Sequence, residues 1–147
     1  MTLDEVITTL LKKRGLTTPK RRQLFFHPPH PQDIASPFDA QPAIKLVQKH
    51  IKQGNQIAIY GDYDVDGICS TAILWETLYS TYKEIFPHIP HREEEGYGLS
   101  IKGIDHCLSK DAKLIIAVDN GITAIEQTKY CRDSGCDLII IDHHQPG

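Results

Sequence analysis

The chain has 147 residues, of which 40% are hydrophobic, 24% charged and 7% aromatic, with a net charge of −3, and this is an ordinary globular composition. No apolar run approaches the roughly 18 residues of a membrane-spanning helix, and the length allows one compact core rather than two full domains. The first five residues are not typical of a signal peptide, and no C-x-x-C pair indicates structural zinc, so we expect a reduced, cytoplasmic chain.

The charge is unevenly distributed along the chain. Residues 1–58 carry nine Lys/Arg against four Asp/Glu, whereas residues 59–147 carry seven against fifteen. The basic part is suited to an anionic partner. Several carboxylates of the acidic part lie inside or directly after apolar runs, where they are costly unless a cation neutralises them.

The basic part predicts two helices and an irregular segment. Apolar residues at helical spacing predict a helix over residues 3–14. Residues 16–42 hold six of the nine prolines, so we expect an extended arm without regular structure there. A second helix is expected over residues 43–53, with three side chains facing inward: Ile44, Val47 and Ile51. We therefore divide the chain into a helix with a Pro-rich arm (1–42) and a main domain (43–147).

The acidic part alternates between strand and helix patterns. Three apolar runs predict strands at residues 56–60, 113–118 and 137–141, and a fourth short strand is expected at 85–89, although Pro87 weakens it. Helices are expected at residues 68–82, 101–108 and 122–134. Continuous hydrophobicity is typical of strands that are covered on both faces. The sequence therefore predicts an α/β fold with a doubly wound, mainly parallel sheet.

Seven side chains that are able to bind a metal follow these strands. Asp64 and Asp66 lie in the turn that leaves the first strand, and five others lie at strand ends: Asp62, Asp119, Asp142, His143 and His144. The carboxyl ends of parallel strands meet at one edge of a sheet, so we expect these side chains to lie close together. Carboxylate and imidazole ligands suit Mn²⁺ or Mg²⁺, which would also relieve their repulsion.

Each of these residues also has an ordinary structural interpretation. Asp66 precedes a predicted helix and is a candidate N-cap, and Asp119 precedes the turn sequence Asn-Gly. Asp142 could end its strand, and His143 with His144 could be a solvated pair. The convergence of all seven side chains on one edge indicates function, whereas no single one of them does.

The remaining motifs limit the classes of ligand and reaction that fit the sequence. Neither a G-x-G-x-x-G motif nor a P-loop is present, which disfavours dinucleotide and NTP binding. Ser70 and Cys69 lie in an apolar helix where packing explains them, so the expected attacking group is a water activated by metal, and the expected reaction is hydrolysis of a phosphate ester. Residues 91–99 are either a solvated acidic loop or a loop that brings Arg92 to a substrate phosphate.

Four motifs stand in order along the chain: GDYDVDG at 61–67, PHREEEGYGL at 90–99, VDNGI at 118–122 and IDHHQP at 141–146. Together they resemble the DHH phosphoesterase superfamily and, within it, the RecJ-type single-strand-specific exonucleases. Members that act on small substrates usually carry His and Pro where Tyr60 and Tyr63 stand here, and this difference favours the exonuclease branch. The resemblance implies a Rossmann-like DHH domain.

The resemblance also implies roles for the site residues. Two Mn²⁺ or Mg²⁺ ions would be bound, with Asp119 between them, by four ligands: Asp64, Asp66, Asp119 and His143. The catalytic group would be completed by Asp62, Asp142 and, near the scissile phosphate, His144, with Arg92 on the substrate. The implied activity removes nucleotides from the 5′ end of single-stranded DNA in recombination and repair. The implied partners are single-stranded DNA and either a single-strand-binding protein or a helicase. No interaction with a membrane is implied.

The superfamily pattern extends past the part that this sequence matches, with one more metal-binding Asp and a second domain that clamps DNA. We therefore expect an N-terminal portion that binds metal weakly and hydrolyses DNA poorly. Two other functions stay open: a DHH phosphodiesterase for short oligonucleotides or cyclic dinucleotides, and a non-catalytic DHH-like scaffold. The intact set of seven side chains argues against the scaffold.

Overall fold

The chain divides between Ala40 and Gln41 into two units in the computed structural model, which describes residues 2–30 and 40–145. The first unit contains α1 (Leu3–Lys13) and α2 (Pro19–Phe26), and α3 (Ala40–Gln53) begins at the boundary. The second unit continues with β1 (Gln56–Tyr60), α4 (Val65–Tyr79), β2 (Ile85–His88), α5 (Ile101–Ser109), β3 (Ala112–Val118), α6 (Ile125–Asp133) and β4 (Asp137–Ile141). Across the described residues, every helix is too short or too polar to cross a membrane.

The first unit contains one predicted helix and one that was not predicted. The expected N-terminal helix is confirmed as α1, whose first turn is closed by reciprocal hydrogen bonds between Thr2 and Glu5. Helix α2 shows that the prediction of an arm without regular structure is wrong over residues 19–26. The Thr18 side chain caps this helix, and Pro19 occupies its first position, where no N–H is needed. Residues 31–39 of the expected arm lie outside the described part of the chain.

The second unit is built on a four-stranded parallel sheet with the order β2-β1-β3-β4, which confirms the predicted α/β fold. The short strand expected at residues 85–89, in which Pro87 is unfavourable, is present as β2 at one edge of the sheet. The amide of Ile57 in β1 donates to the carbonyl of Glu84, and the amide of Gly61 after β1 donates to the carbonyl of His88. Residues 84, 86 and 88 therefore point their backbone groups toward β1. Pro87, which has no N–H, points its backbone away from β1, so no hydrogen bond of the sheet is lost. An edge position is where a sheet tolerates proline.

Helices cover both faces of the sheet, as the continuous apolar runs predict. On one face, strand residues such as Ala58 and Ile115 pack with Ile104 and Cys107 of α5 and Cys131 of α6. On the other face, five aliphatic strand residues pack against α3 and α4: Ile57, Ile59, Leu114, Ile116 and Val118. The sheet is therefore the centre of the core.

Helix α3 packs through a stripe that differs from the predicted one. Ile44, predicted to face inward, is 44% exposed. The residues that face the core are Ala43, Leu46, Val47, His50 and Ile51. These positions follow the three- and four-residue spacing of one helix face, and Ile44 lies one position outside it. Val47 and Ile51 were predicted correctly.

The chain passes from β1 to β2 on one side and then crosses back to β3 on the other side of β1. A reversal of this kind leaves a crevice between the carboxyl ends of the two strands, where α/β proteins bind their ligands. In this protein the crevice lies between residues 61–64 after β1 and residues 119–121 after β3.

Candidate metal centre

Asp119 follows β3 and has a strained backbone. Its φ of 62° lies in the left-handed region, which Asp adopts more readily than most other residues. Its amide donates a 2.8 Å hydrogen bond to the carbonyl of Ile141 at the end of β4, and its side chain is mostly buried. A strained residue that the sheet holds in place is typical of a functional site.

Two histidines after β4 complete a group around Asp119. The Nε2 atom of His143 lies 3.0 Å from Oδ1 of Asp119. Ligand atoms of Asp119, His143 and His144 all lie within 4.8 Å of one another, the one such group of at least three His, Cys, Asp or Glu in residues 2–30 and 40–145. One carboxylate and two imidazoles fit Mn²⁺ and several other divalent metals. The structure thus brings His144 as well as His143 to the predicted ligand Asp119.

Asp142 fixes the position of His144 within this group. Its carboxylate accepts hydrogen bonds from the amides of Ile122 and His144, both at 3.0 Å, and Nδ1 of His144 donates to it at 2.6 Å. Burial alone would raise the pKa of Asp142, but these donors lower it, and the same contact raises the pKa of His144. Asp142 therefore fixes the ring of His144 and leaves its Nε2 atom available.

Asp62, at the end of β1, is fully buried. Its Oδ1 atom accepts a 2.7 Å hydrogen bond from the amide of Tyr63, whereas Oδ2 has no partner among the described residues. A buried carboxylate oxygen without a donor or a cation is costly. This orphaned atom, together with the carboxylate and imidazole donors beside it, fits a site that holds a divalent cation.

Asp64 and Asp66, two of the predicted ligands, follow β1 and are not part of this group of three. Asp64 is the N-cap of α4, with its Oδ1 atom 2.9 Å from the amide of Gly67. The alternative interpretation of Asp66 as the N-cap is therefore wrong, since Asp66 lies inside the first turn. Burial raises the pKa of Asp119, the charges of Asp64 and Asp66 raise it further, and the two imidazoles oppose the shift. A cation would relieve this repulsion.

Arg92 lies beside an aromatic pair. Its guanidinium carbon is 5.4 Å from the ring centre of Tyr63, and the rings of Tyr63 and Tyr97 meet edge to face at 6.1 Å. Partial desolvation raises the pKa of Tyr97, and the charges of Asp62, Asp64, Asp119 and Asp142 add to this, so Tyr97 lies near the carboxylates. Tyr63 and Tyr97 were not predicted as site residues, and the Gly-Tyr-Gly motif at 96–98 is the sequence signal for Tyr97.

Asn120 is a further residue that the sequence analysis missed. Its side-chain amide donates to the carbonyls of Gly61 at 3.0 Å and Val118 at 2.9 Å, and the residue is 2% exposed. These bonds join the ends of β1 and β3 across the crevice. The turn sequence Asn-Gly was visible, but the partner of Asn120 lies 59 residues away.

Known proteins are similar to this chain in sequence and in architecture. The family model for the DHH family, N-terminal domain, matches residues 56–147. The single-stranded-DNA-specific exonuclease RecJ of Bacillus subtilis (strain 168) is 37% identical over 148 residues, which cover 99% of this chain and 19% of that protein. RecJ of Thermus thermophilus is 39% identical over 106 residues, which cover 71% of this chain and 16% of that protein. The chain thus spans about a fifth of the length of these relatives.

A crystal structure of exonuclease RecJ bound to manganese is similar in three dimensions. It superposes with a TM-score of 0.69 at 36% identity, over 78% of this chain and 30% of that one. The matched family segment includes all four strands and every site residue described above. The resemblance in the four motifs is therefore confirmed along the whole sheet, and this chain belongs to the DHH family.

Proposed function

We propose that this chain carries the metal-binding part of an exonuclease that hydrolyses phosphodiester bonds in single-stranded DNA from the 5′ end. The observation that supports this most directly is the group of Asp119, His143 and His144 within 4.8 Å at the crevice of the sheet. RecJ relatives that are single-stranded-DNA-specific exonucleases support the substrate. A role in DNA recombination and repair is part of the proposal.

In this proposal two divalent cations would be held by Asp64, Asp66, Asp119 and His143. The manganese bound to the similar RecJ structure supports Mn²⁺ as one of the working ions. When bound, such a pair of cations polarises the phosphate, provides the attacking water and stabilises the leaving oxygen.

The side chains around the cations orient the substrate and the ligands. Asp142 accepts a hydrogen bond from Nδ1 of His144 and thereby fixes the direction of Nε2. The same contact raises the pKa of His144, and the imidazolium that it favours donates a hydrogen bond from Nε2 to a phosphate oxygen. Asp62 anchors the turn before Asp64 through the amide of Tyr63. Arg92 binds a substrate phosphate with its planar guanidinium fork, supported by the ring of Tyr63.

The test begins with metal binding by this chain, measured by titration calorimetry with Mn²⁺. Asp119→Asn should lower the affinity by at least about tenfold, since it removes the central carboxylate. Asp133→Asn, an exposed carboxylate paired with Lys129 on α6, is the matched control and should bind like the wild type. Wild-type affinity in Asp119→Asn would rule out the site.

Hydrolysis is then measured on this chain and on any longer protein that contains it. In the longer protein, a single-stranded 20-mer labelled at either end, with Mn²⁺, should lose mononucleotides from its 5′ end, and Asp119→Asn should stop this; this chain alone should cleave the 20-mer poorly. Faster cleavage of two- to five-nucleotide substrates than of the 20-mer would instead favour the small-substrate phosphodiesterase. Mn²⁺ binding by the longer protein without cleavage of either substrate would favour the scaffold.

A further inference from the structure

A groove of about 340 Å³ adjoins the metal centre. One wall is formed by residues 97–99 and the other by residues 120–124 together with Gln127 of α6. Asp142 and His144 also line it, so it opens directly onto the position proposed for the phosphate. The roles proposed above for metal and phosphate binding do not explain the rest of the groove.

The size and the lining of the groove suit a small flat ring. Sites for small molecules usually enclose about 300–1,000 Å³. The ring of Tyr97 is 61% exposed on one wall, and Ile122 is partly exposed on the other. An accessible aromatic ring beside a phosphate site is the arrangement that binds the base of a single-stranded nucleic acid by stacking.

Tyr97 is held in place before any ligand binds. Glycines with φ of 84° and 69° flank it at Gly96 and Gly98, and the carbonyl of Gly98 accepts a 3.0 Å hydrogen bond from the buried hydroxyl of Tyr60. The edge-to-face contact with Tyr63 supports its ring. A ring that is already fixed loses little entropy when a base stacks on it.

The facing wall has polar groups without partners. No side chain caps α6, whose N-cap is Ala124. The Oδ1 atom of Asn120, which is buried beside the groove, has no hydrogen-bond partner in the part of the chain that the structure describes. The N–H groups that no side chain caps at the start of α6 suit an acceptor oxygen of a ligand, whereas Oδ1 of Asn120 needs a donor such as a bound water.

We propose that this groove is a nucleoside subsite, which holds the sugar and base of the nucleotide whose phosphate lies at the metal centre, with Tyr97 stacked on the base. The position of the phosphate rests on the proposed function. Because every base has a π-face, the subsite accepts all four bases but distinguishes a nucleotide from a phosphate without a base.

The test compares ligands with and without a base by NMR titration of this chain in the presence of Mg²⁺, which is diamagnetic. Deoxyadenosine 5′-monophosphate should bind about 5- to 100-fold more tightly than deoxyribose 5-phosphate and should shift the amides of Gly98, Leu99 and Ile122. Tyr97→Ala should remove this difference. Tyr79→Ala, a partly exposed tyrosine on α4 outside the groove, should preserve it.

A second variant tests the place of the ligand without changing Tyr97. Thr123→Trp adds bulk to the facing wall and should lower the affinity for deoxyadenosine 5′-monophosphate at least about fivefold. Unchanged nucleotide affinity in both Tyr97→Ala and Thr123→Trp would overturn the subsite, as would shifts confined to residues outside the groove.

Deoxyadenosine alone separates this inference from the proposed function, since it needs neither a phosphate nor a metal. If deoxyadenosine shifts the groove amides in the wild type and not in Tyr97→Ala, the subsite is supported even where Mn²⁺ fails to bind. If Mn²⁺ binds through Asp119 while neither the nucleoside nor the nucleotide shifts the groove amides, the subsite is wrong and the metal centre stands.

Discussion

Gly67 lies so close to Asp62 that a Cβ atom on it would be 2.6 Å from both the backbone nitrogen and the backbone oxygen of Asp62. The first turn of α4 therefore packs directly on the backbone that leaves β1. This contact sets the position of the N-cap Asp64 relative to Asp62. The glycine is required by the contact, since its backbone conformation is ordinary and helical.

Replacement of Gly67 by Ala should destabilise the protein by about 1–3 kcal/mol, because backbone atoms rather than a flexible side chain oppose the new methyl group. An exposed helical glycine would instead gain about 1 kcal/mol from the same change. Urea unfolding measures the difference, and Cys69→Ala, at an exposed position on the same helix, should change stability little. A stabilised Gly67→Ala would show that the contact is not as tight as described.

Replacement of Asn120 by Ala should also destabilise the protein, by about 1–3 kcal/mol, since the carbonyls of Gly61 and Val118 lose their buried donor. Thermal unfolding, monitored by circular dichroism, measures this. Gln48→Ala, at an exposed position on α3, is the matched control. If Asn120→Ala melted at the temperature of the wild type, the bridge between β1 and β3 would contribute nothing.

The two histidines of the metal centre should differ in their effect on Mn²⁺ binding. His143 contacts Asp119, whereas the contact of His144 is with Asp142. We therefore expect His143→Ala to lower Mn²⁺ affinity more than His144→Ala, by titration calorimetry, with the exposed His91→Ala as the control. Equal losses in the two variants would contradict the proposed division between metal ligand and phosphate contact.

Asp137 should make stability depend on pH in the acid range. Its carboxylate accepts a 2.8 Å hydrogen bond from Nε2 of His50 and lies 3.1 Å from Nζ of Lys49. The His50 contact lowers the pKa of Asp137 against the opposing effect of burial, and Lys49 assists. Because the folded pKa lies below the unfolded value of about 3.9, the stabilisation is present above that value and is lost as the pH falls through the folded pKa.

The measurement follows the free energy of unfolding between about pH 5 and pH 3. The wild type should lose more stability over this interval than Asp137→Asn, which lacks the titrating group. Asp133→Asn should retain the wild-type slope, since its exposed pair with Lys129 is weak. Identical slopes for wild type and Asp137→Asn would show that the contact with His50 does not couple to folding.

Local pattern was enough to predict most of the elements in the second unit. The runs at 56–60 and 137–141 match β1 and β4 because strands that are buried on both faces must be continuously apolar. Helix α2 forms despite the proline content of its segment because Thr18 caps it and Pro19 stands at its first position, where proline is tolerated. Ile44 was misplaced because the rotation of α3 is set by contact with the sheet and not by its spacing alone.

The sequence by itself determined which carboxylates and imidazoles follow the predicted strands, since the end of each apolar run is a local property. Only the tertiary structure decided which of them meet: Asp119, His143 and His144 come together, Asp62 and Asp142 are held by backbone donors, and Asn120 joins β1 to β3. Strand order, left-handed turns and ring positions depend on contacts between residues far apart in the chain, which no local pattern records.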